Sequence, residues 1–280
     1  MQKSIKRYFP IFVLPTLIAF IIAFLYPFIM GIYLSFTEFT TVKDATWVGI
    51  SNYKKIFLDQ NFINALVFTV KFTIVSVVTI NVFGFLMAYA LTRGIKGTNL
   101  FRTVFFMPNL IGGIVLGYIW QLLLNGVLAL WDRSLTTSAV YGFWGMVILL
   151  CWQQIGYMMV IYIAGFQSLP TDLIEAAQVD GASNGQIMRR IIIPLMMPSV
   201  TVCSFLTVAN GFKMFDQNLA LTNGAPSNAS EMIAFNIYRT MYGRTGFEGV
   251  AQAKAVIFFI IVAVVAFIQN RITTSKEVEA

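Results

Sequence analysis

Six stretches without a single Lys, Arg, Asp or Glu, at 8–37, 72–92, 103–131, 134–171, 191–212 and 255–270, leave this chain little freedom in what it can fold into. A helix crossing the roughly 30 Å hydrocarbon core of a bilayer needs about 20 apolar residues. Five windows reach that length and the last holds 16, where Lys254 can snorkel and Gly249-Val250-Ala251 can extend the helix. Runs such as Phe12–Phe24, Phe143–Ile163 and Ala255–Ile268 lack the alternation of an outer-membrane strand. Backbone polar groups in lipid must be satisfied within the segment, so these are helices. The pattern predicts an all-α integral membrane protein with six spans near 9–35, 66–92, 103–125, 142–166, 195–217 and 250–270, in one domain covering 1–280.

Composition narrows the class further. Only 11% of residues are charged and 58% are hydrophobic, where soluble proteins carry about 25% charge. A soluble enzyme or a nucleic-acid binder is excluded, and the net charge of +7 belongs to membrane topology. With no histidine there is no imidazole base and no His-ligated metal. Cys151 and Cys203 both lie in apolar stretches, so neither a disulfide framework nor a thiolate site is indicated. The apolar run after Lys3, Lys6 and Arg7 is too long for a signal peptide and has no small-residue cleavage site, so the first span is expected to be retained.

The positive-inside rule sets the orientation. The short segments 1–7 and 93–102 each carry three basic residues and no acid, which places both termini in the cytoplasm. The segments 37–64 and 213–249 then become outer loops, and 167–194 is a polar excursion on the cytoplasmic side. Within it, 172–193 reads as a helix-turn-helix. Asp172 and Glu175 have capping-box spacing, Gly181 is a natural stop, and Ser183 with Gln186 offers a second box. Leu173, Ile174, Ile187, Met188 and Ile191 leave an apolar stripe that wants a partner, or that lies on the membrane surface.

At this excursion the sequence resembles a known family. Glu175-Ala176-Ala177, then Asp180-Gly181-Ala182, and, with nine residues between it and Gly181, the run Ile191-Ile192-Ile193-Pro194, are similar to the EAA motif of binding-protein-dependent ATP-binding-cassette importer permeases. Ile193 stands where the family pattern has Leu. The match is to the carbohydrate branch, the maltose and glycerol-phosphate type, and it extends over roughly 8–272 through Tyr26-Pro27-Phe28, Trp47–Tyr53 and Phe101–Pro108. Leu221-Thr222-Asn223-Gly224-Ala225-Pro226 resembles the family's Thr-Gly-Gly-Gly-Pro loop, departing at Asn223 and Ala225.

The resemblance implies a permease subunit of a bacterial inner or plasma membrane that moves a sugar by alternating access. The 172–193 pair would be the coupling helices, with Glu175, Ala176, Ala177, Asp180, Gly181 and Pro194 as the ATPase-coupling residues. Partners would be a second, non-identical permease, a cytoplasmic ATPase dimer and an extracytoplasmic solute-binding protein, with no nucleic acid. The sequence has no G-x-x-x-x-G-K-[ST] loop, so ATP and Mg would be bound by the partner ATPase and this chain would hold no cofactor, no metal and no catalytic site.

Sugars present C–H patches and hydroxyls together, which suits aromatic faces combined with amides. Span four contains Trp152-Gln153-Gln154-Ile155-Gly156-Tyr157, and in span five Thr207, Asn210, Gly211 and Met214 are spaced for one helical face. Carried over by position from the sugar branch, the substrate residues would be Gln153, Gln154, Tyr157, Asn210, Gly211 and Met214. Gln and Asn in spans also serve interhelical hydrogen bonds, and Trp120 and Trp131 suit an interfacial belt. Lys213 and Asp216 are spaced as an ion pair, either gating or snorkelling. Two other classes remain open: a membrane-embedded enzyme of lipid-linked glycan metabolism, whose acids would have to cluster, and a stand-alone ion-coupled transporter, which usually carries a midplane acid.

Overall fold

A computed structural model describes the backbone of residues 2–277 and the side chains of residue 9, residue 11 and residues 13–277. The side chains of Lys3, Lys6 and Arg7, part of the orientation signal, lie outside the described residues. Among the described residues five helices are long and apolar enough to span: α1 (Val13–Leu34), α3 (Gln60–Leu91), α5 (Gly113–Trp131), α6 (Ala139–Gln167) and α12 (Glu248–Thr274). The pair α8 (Asn184–Leu195) and α9 (Met197–Phe212), bent by 65°, makes a sixth if taken as one span. Shorter helices are α2 (Ser51–Leu58), α4 (Thr98–Phe106), α7 (Thr171–Val179), α10 (Asp216–Leu221) and α11 (Ile233–Gly243).

Prolines explain where the helices deform. Each removes one backbone N–H and one rung of the helical ladder. Pro27 follows a π-turn at Ile21–Leu25, where Tyr26 N–H reaches back to Ile21 O. Pro194 follows another at Met188–Ile192, where Ile193 N–H reaches Met188 O. Pro194 and Pro198 flank Met196, at which α8 turns into α9. The expected span 103–125 is corrected by the same chemistry. Its first part is the separate helix α4, followed by a 3₁₀ turn at Met107–Leu110 containing Pro108. Ile111 and Gly112 are extended, and α5 begins at Gly113.

By its internal contacts the chain forms two compact units. One comprises 1–60 and 237–260. In it, strands β1 (Thr37–Glu38) and β2 (Thr46–Trp47) pair antiparallel with Thr37 opposite Trp47. Buried Asn52 of α2 donates to Ser35 O (3.0 Å) and Thr37 O (2.8 Å), tying the loop to the end of α1. Lys254 is 1% exposed and donates to Asp59 Oδ2 and Thr240 Oγ1, each at 2.8 Å.

The other unit comprises 61–236 and 261–280. Helix α6 is its axis: 67% of its most apolar stretch is buried, against 6% for α1. Phe72 and Ile80 of α3 pack with Met146, Leu149, Met158 and Tyr162 of α6 in this core. Tyr162 donates to Asn81 Oδ1 (2.7 Å), and Asn81 donates to Thr207 Oγ1 (2.9 Å), a satisfied polar tie across three helices. Gly156 lets α4 cross α6 closely, since a Cβ there would stand 1.7 Å from Phe105 O.

Candidate functional site

Backbone that leaves its helix at membrane depth is tolerated where it is buried in protein or lines a cavity. The break at 107–112 is such a place, and amide side chains collect on it. Gln153 Nε2 donates to the free carbonyl of Ile111 (3.2 Å), while Gln217 Nε2 donates to Gln153 Oε1 (3.1 Å). Gln154 Nε2 donates to Asn109 Oδ1 (3.3 Å), and Asn210 Nδ2 donates to Gln154 Oε1 (3.2 Å). Gln153 and Gln154 are 6% and 8% exposed, while Asn109, Asn210 and Gln217 are half-buried. Two buried glutamines thus form a floor and three amides a rim. Half-exposed carboxamides facing hydrocarbon would be costly, so this face suits a polar path.

The fold brings together three of the six expected substrate residues, Gln153, Gln154 and Asn210, and adds Asn109 and Gln217, which sequence reasoning missed. Tyr157 is half-buried with its ring 6.2 Å from Phe106. Gly211 packs against α3, where a Cβ would meet Thr73 Oγ1 at 2.9 Å. Met214 departs from the expected helical face. Helix α9 ends at Phe212 with Lys213 as its cap, and Met214 turns into the core at 2% exposure. Thr207 serves the tie to Asn81 instead of the amide group. Trp152 sits edge-to-face with Trp120 at 5.6 Å and lines an apolar groove of about 420 Å³ with Pro108, Ile111 and Gly156. Among the described residues no ion pair joins Lys213 and Asp216. Asp216 instead opens α10 and packs against Gly113.

The second expected site, the 172–193 pair, has a well-defined corner. Helix α7 ends at Asp180, and Gly181 follows with φ +77°. Gly181 N–H bonds Gln178 O (3.0 Å) and Ala182 N–H bonds Ala177 O (2.9 Å), the double bond pattern of a Schellman stop. A side chain at that φ is strained, so glycine suits the corner. Ser183 and Gln186 cap α8 reciprocally. The box expected at Asp172 does not form: Pro170 is the N-cap, so Asp172 already lies inside the first turn. Glu175, Ala176 and Asp180 are exposed, Ala177 and Pro194 are half-buried, and Val179 is 88% exposed. Of the expected apolar stripe, Ile187 is buried, Ile174 and Met188 pack on the core, and Leu173 stays 47% exposed.

A helical membrane protein with a broken span, an amide group at the break and an exposed helical corner has the make-up of a transport subunit. The family model described as binding-protein-dependent transport system inner membrane component matches residues 80–276, and the chain belongs to that family. It is 45% identical over 277 residues to the probable starch degradation products transport system permease protein AmyD of Thermoanaerobacterium thermosulfurigenes, covering 96% of this chain and 94% of that one. It is 31% identical over 288 residues to the multiple sugar-binding transport system permease protein MsmF of Streptococcus mutans, covering 99% of both. A bacterial ABC transporter involved in importing the acidic polysaccharide alginate contains a chain of the same fold, with TM-score 0.83 and 21% identity over 98% of each chain.

Proposed function

We propose that this chain is a permease subunit of an ATP-binding-cassette importer that carries a sugar or oligosaccharide inward by alternating access, driven by a separate ATPase. The observation that carries the reading is the amide group gathered on the helix break at 107–112, and an exposed, sharply turned helix pair suited to docking accompanies it in the same chain. The likeness to AmyD, a probable permease for starch degradation products, and to MsmF, a permease of a multiple sugar-binding transport system, supports the substrate class. In this reading a second permease completes the path, and an extracytoplasmic binding protein delivers the solute. ATP and Mg belong to the ATPase dimer. The chain lies in a bacterial cell membrane with both termini cytoplasmic, and 172–193 docks on the ATPase through Glu175, Ala176, Ala177, Asp180 and Gly181, with Pro194 setting the bend. Closure of the ATPase pair would tilt α8 and, through the bend, α9.

The test is uptake of radiolabelled maltotriose into proteoliposomes holding both permeases, the ATPase and the binding protein. Uptake that needs ATP and all four components supports the importer. Uptake by this chain alone without ATP would remove it. Gly181→Val and Glu175→Lys should both abolish ATPase stimulation by loaded binding protein while the chain still inserts. Full stimulation in both would reduce 172–193 to a linker.

A further inference from the structure

Saccharides differ in charge, and Asn109 and Gln217 join the amide group from outside the six expected substrate residues. We infer that Asn109, Gln153, Gln154, Asn210 and Gln217 together form the contact surface for an uncharged saccharide, with Asn109 and Gln217 as further specificity-determining residues. The inference rests on the importer reading above.

The chemistry of the five side chains decides the charge of the ligand. A carboxamide carries donors and an acceptor on one plane. A sugar hydroxyl also carries both, so hydroxyl and amide can exchange partners without leaving either unsatisfied. A carboxylate or phosphate offers only acceptors and is best held by Arg or Lys. Among the described residues no basic side chain bonds any of the five amides: their partners are one another and Ile111 O. The nearest charges along the chain, exposed Lys213 and half-buried Asp216, are opposite in sign and unpaired with each other. Asp216 adjoins Gln217, and both pack against Gly113 at the edge of the group. An acidic saccharide entering there would meet a carboxylate and no compensating cation in the floor.

The geometry also suits exchange. The amides bond to one another in two short chains, Gln217 to Gln153 to Ile111 O and Asn210 to Gln154 to Asn109. Each chain begins or ends on a half-buried amide that an entering hydroxyl can reach first. Asn109 comes from the helix break and Gln217 from α10, so the ligand would touch two elements besides α6 and α9. Displacing these bonds exposes no charge.

The experiment uses this chain with its partner permease in nanodiscs, without the binding protein, whose own selectivity would mask the result. Binding of tritiated maltotriose and of trigalacturonate is read by scintillation proximity. We expect maltotriose to bind at least tenfold tighter. Asn109→Ala and Gln217→Ala should each weaken maltotriose binding roughly fivefold, the usual scale of one lost hydrogen bond. Gln217→Lys should move the preference toward trigalacturonate by about tenfold, a gain that a misfolded protein cannot produce. Equal binding of both saccharides by the wild type, or wild-type maltotriose affinity in both alanine variants, would overturn the inference. If neither saccharide binds while the complete complex still drives ATP-dependent uptake, the site assignment falls and the importer reading stands. Loss of the uptake itself would remove the importer reading.

Discussion

Two polar clusters lie within otherwise apolar helices, and they are built differently. In one unit Lys254 is fully enclosed, with Asp59 and Thr240 each 2.8 Å from its ammonium. In the other, five neutral amides bond to one another and three of them reach the surface. Separating a buried ion pair strands a charge, which is costly wherever water is excluded. Separating two amides strands nothing if a hydroxyl takes the place of either. The charged cluster is therefore suited to holding a geometry, and the neutral one to being opened and reformed.

Breaking the charged cluster should have the largest effect. Lys254→Met takes the Lys254 ammonium away from Asp59. Breaking a buried pair costs about 3–5 kcal/mol, and the 26% exposure of the Asp59 side chain lowers the expectation to roughly 2–3 kcal/mol. Thermal denaturation of the purified permease should show a clear drop in Tm, largely recovered in the double variant Asp59→Leu/Lys254→Met. An unchanged Tm in the single variant would erase the contrast between the clusters.

A smaller and different effect is expected from Asn210→Ala. One amide bond worth about 1 kcal/mol is lost, or roughly fivefold in uptake at limiting substrate, with Tm close to wild type. Tyr157→Ala should behave likewise if its ring lines the same path. Should Asn210→Ala instead destabilise the protein as Lys254→Met does, the amides would be structural ties of the Asn81 kind.

The smallest effect belongs to an exposed polar group in the same unit as Lys254. Backbone N–H groups of Thr41 and Thr40 donate to the Asp44 carboxylate and hold its pKa below the usual 3.8. Because the folded value is the lower one, its contribution is full above pH 3.8 and fades as pH falls through the depressed value. Amide exchange in residues 40–47 should therefore quicken only in that acid range. Asp44→Asn should remove the pH dependence and leave uptake at neutral pH unchanged.

How legible was all this in the sequence? Charge-free windows located the long apolar helices because desolvation penalties act on every residue of a span. The Ser183–Gln186 cap and the Gly181 corner were legible because both are made by neighbours in sequence. The break at 107–112 was hidden, since the window 103–131 stays uncharged through it and only backbone geometry separates α4 from α5. Met214 was misplaced because helical spacing was carried beyond the end of α9 at Phe212. Asn109 and Gln217 carried no signal, since 45 residues separate Asn109 from Gln154 and 64 separate Gln153 from Gln217. Only the packing of α6 against the break and α10 unites them.

The 65° turn at Met196 makes α8 a lever arm. At 1.5 Å per residue, its 12 residues reach about 18 Å from the pivot, so a swing of about 10° carries the far end roughly 3 Å. Read in the other direction, a displacement of a few ångströms at the Ser183 end is geared down into a rotation at the base of α9. A straight helix through Met196 would transmit the same push as a slide along its own axis. The bend sets the kind of motion that can arrive, a roll of α9 about its length, and Asn210 lies 13 residues beyond the start of that same shaft at Met197.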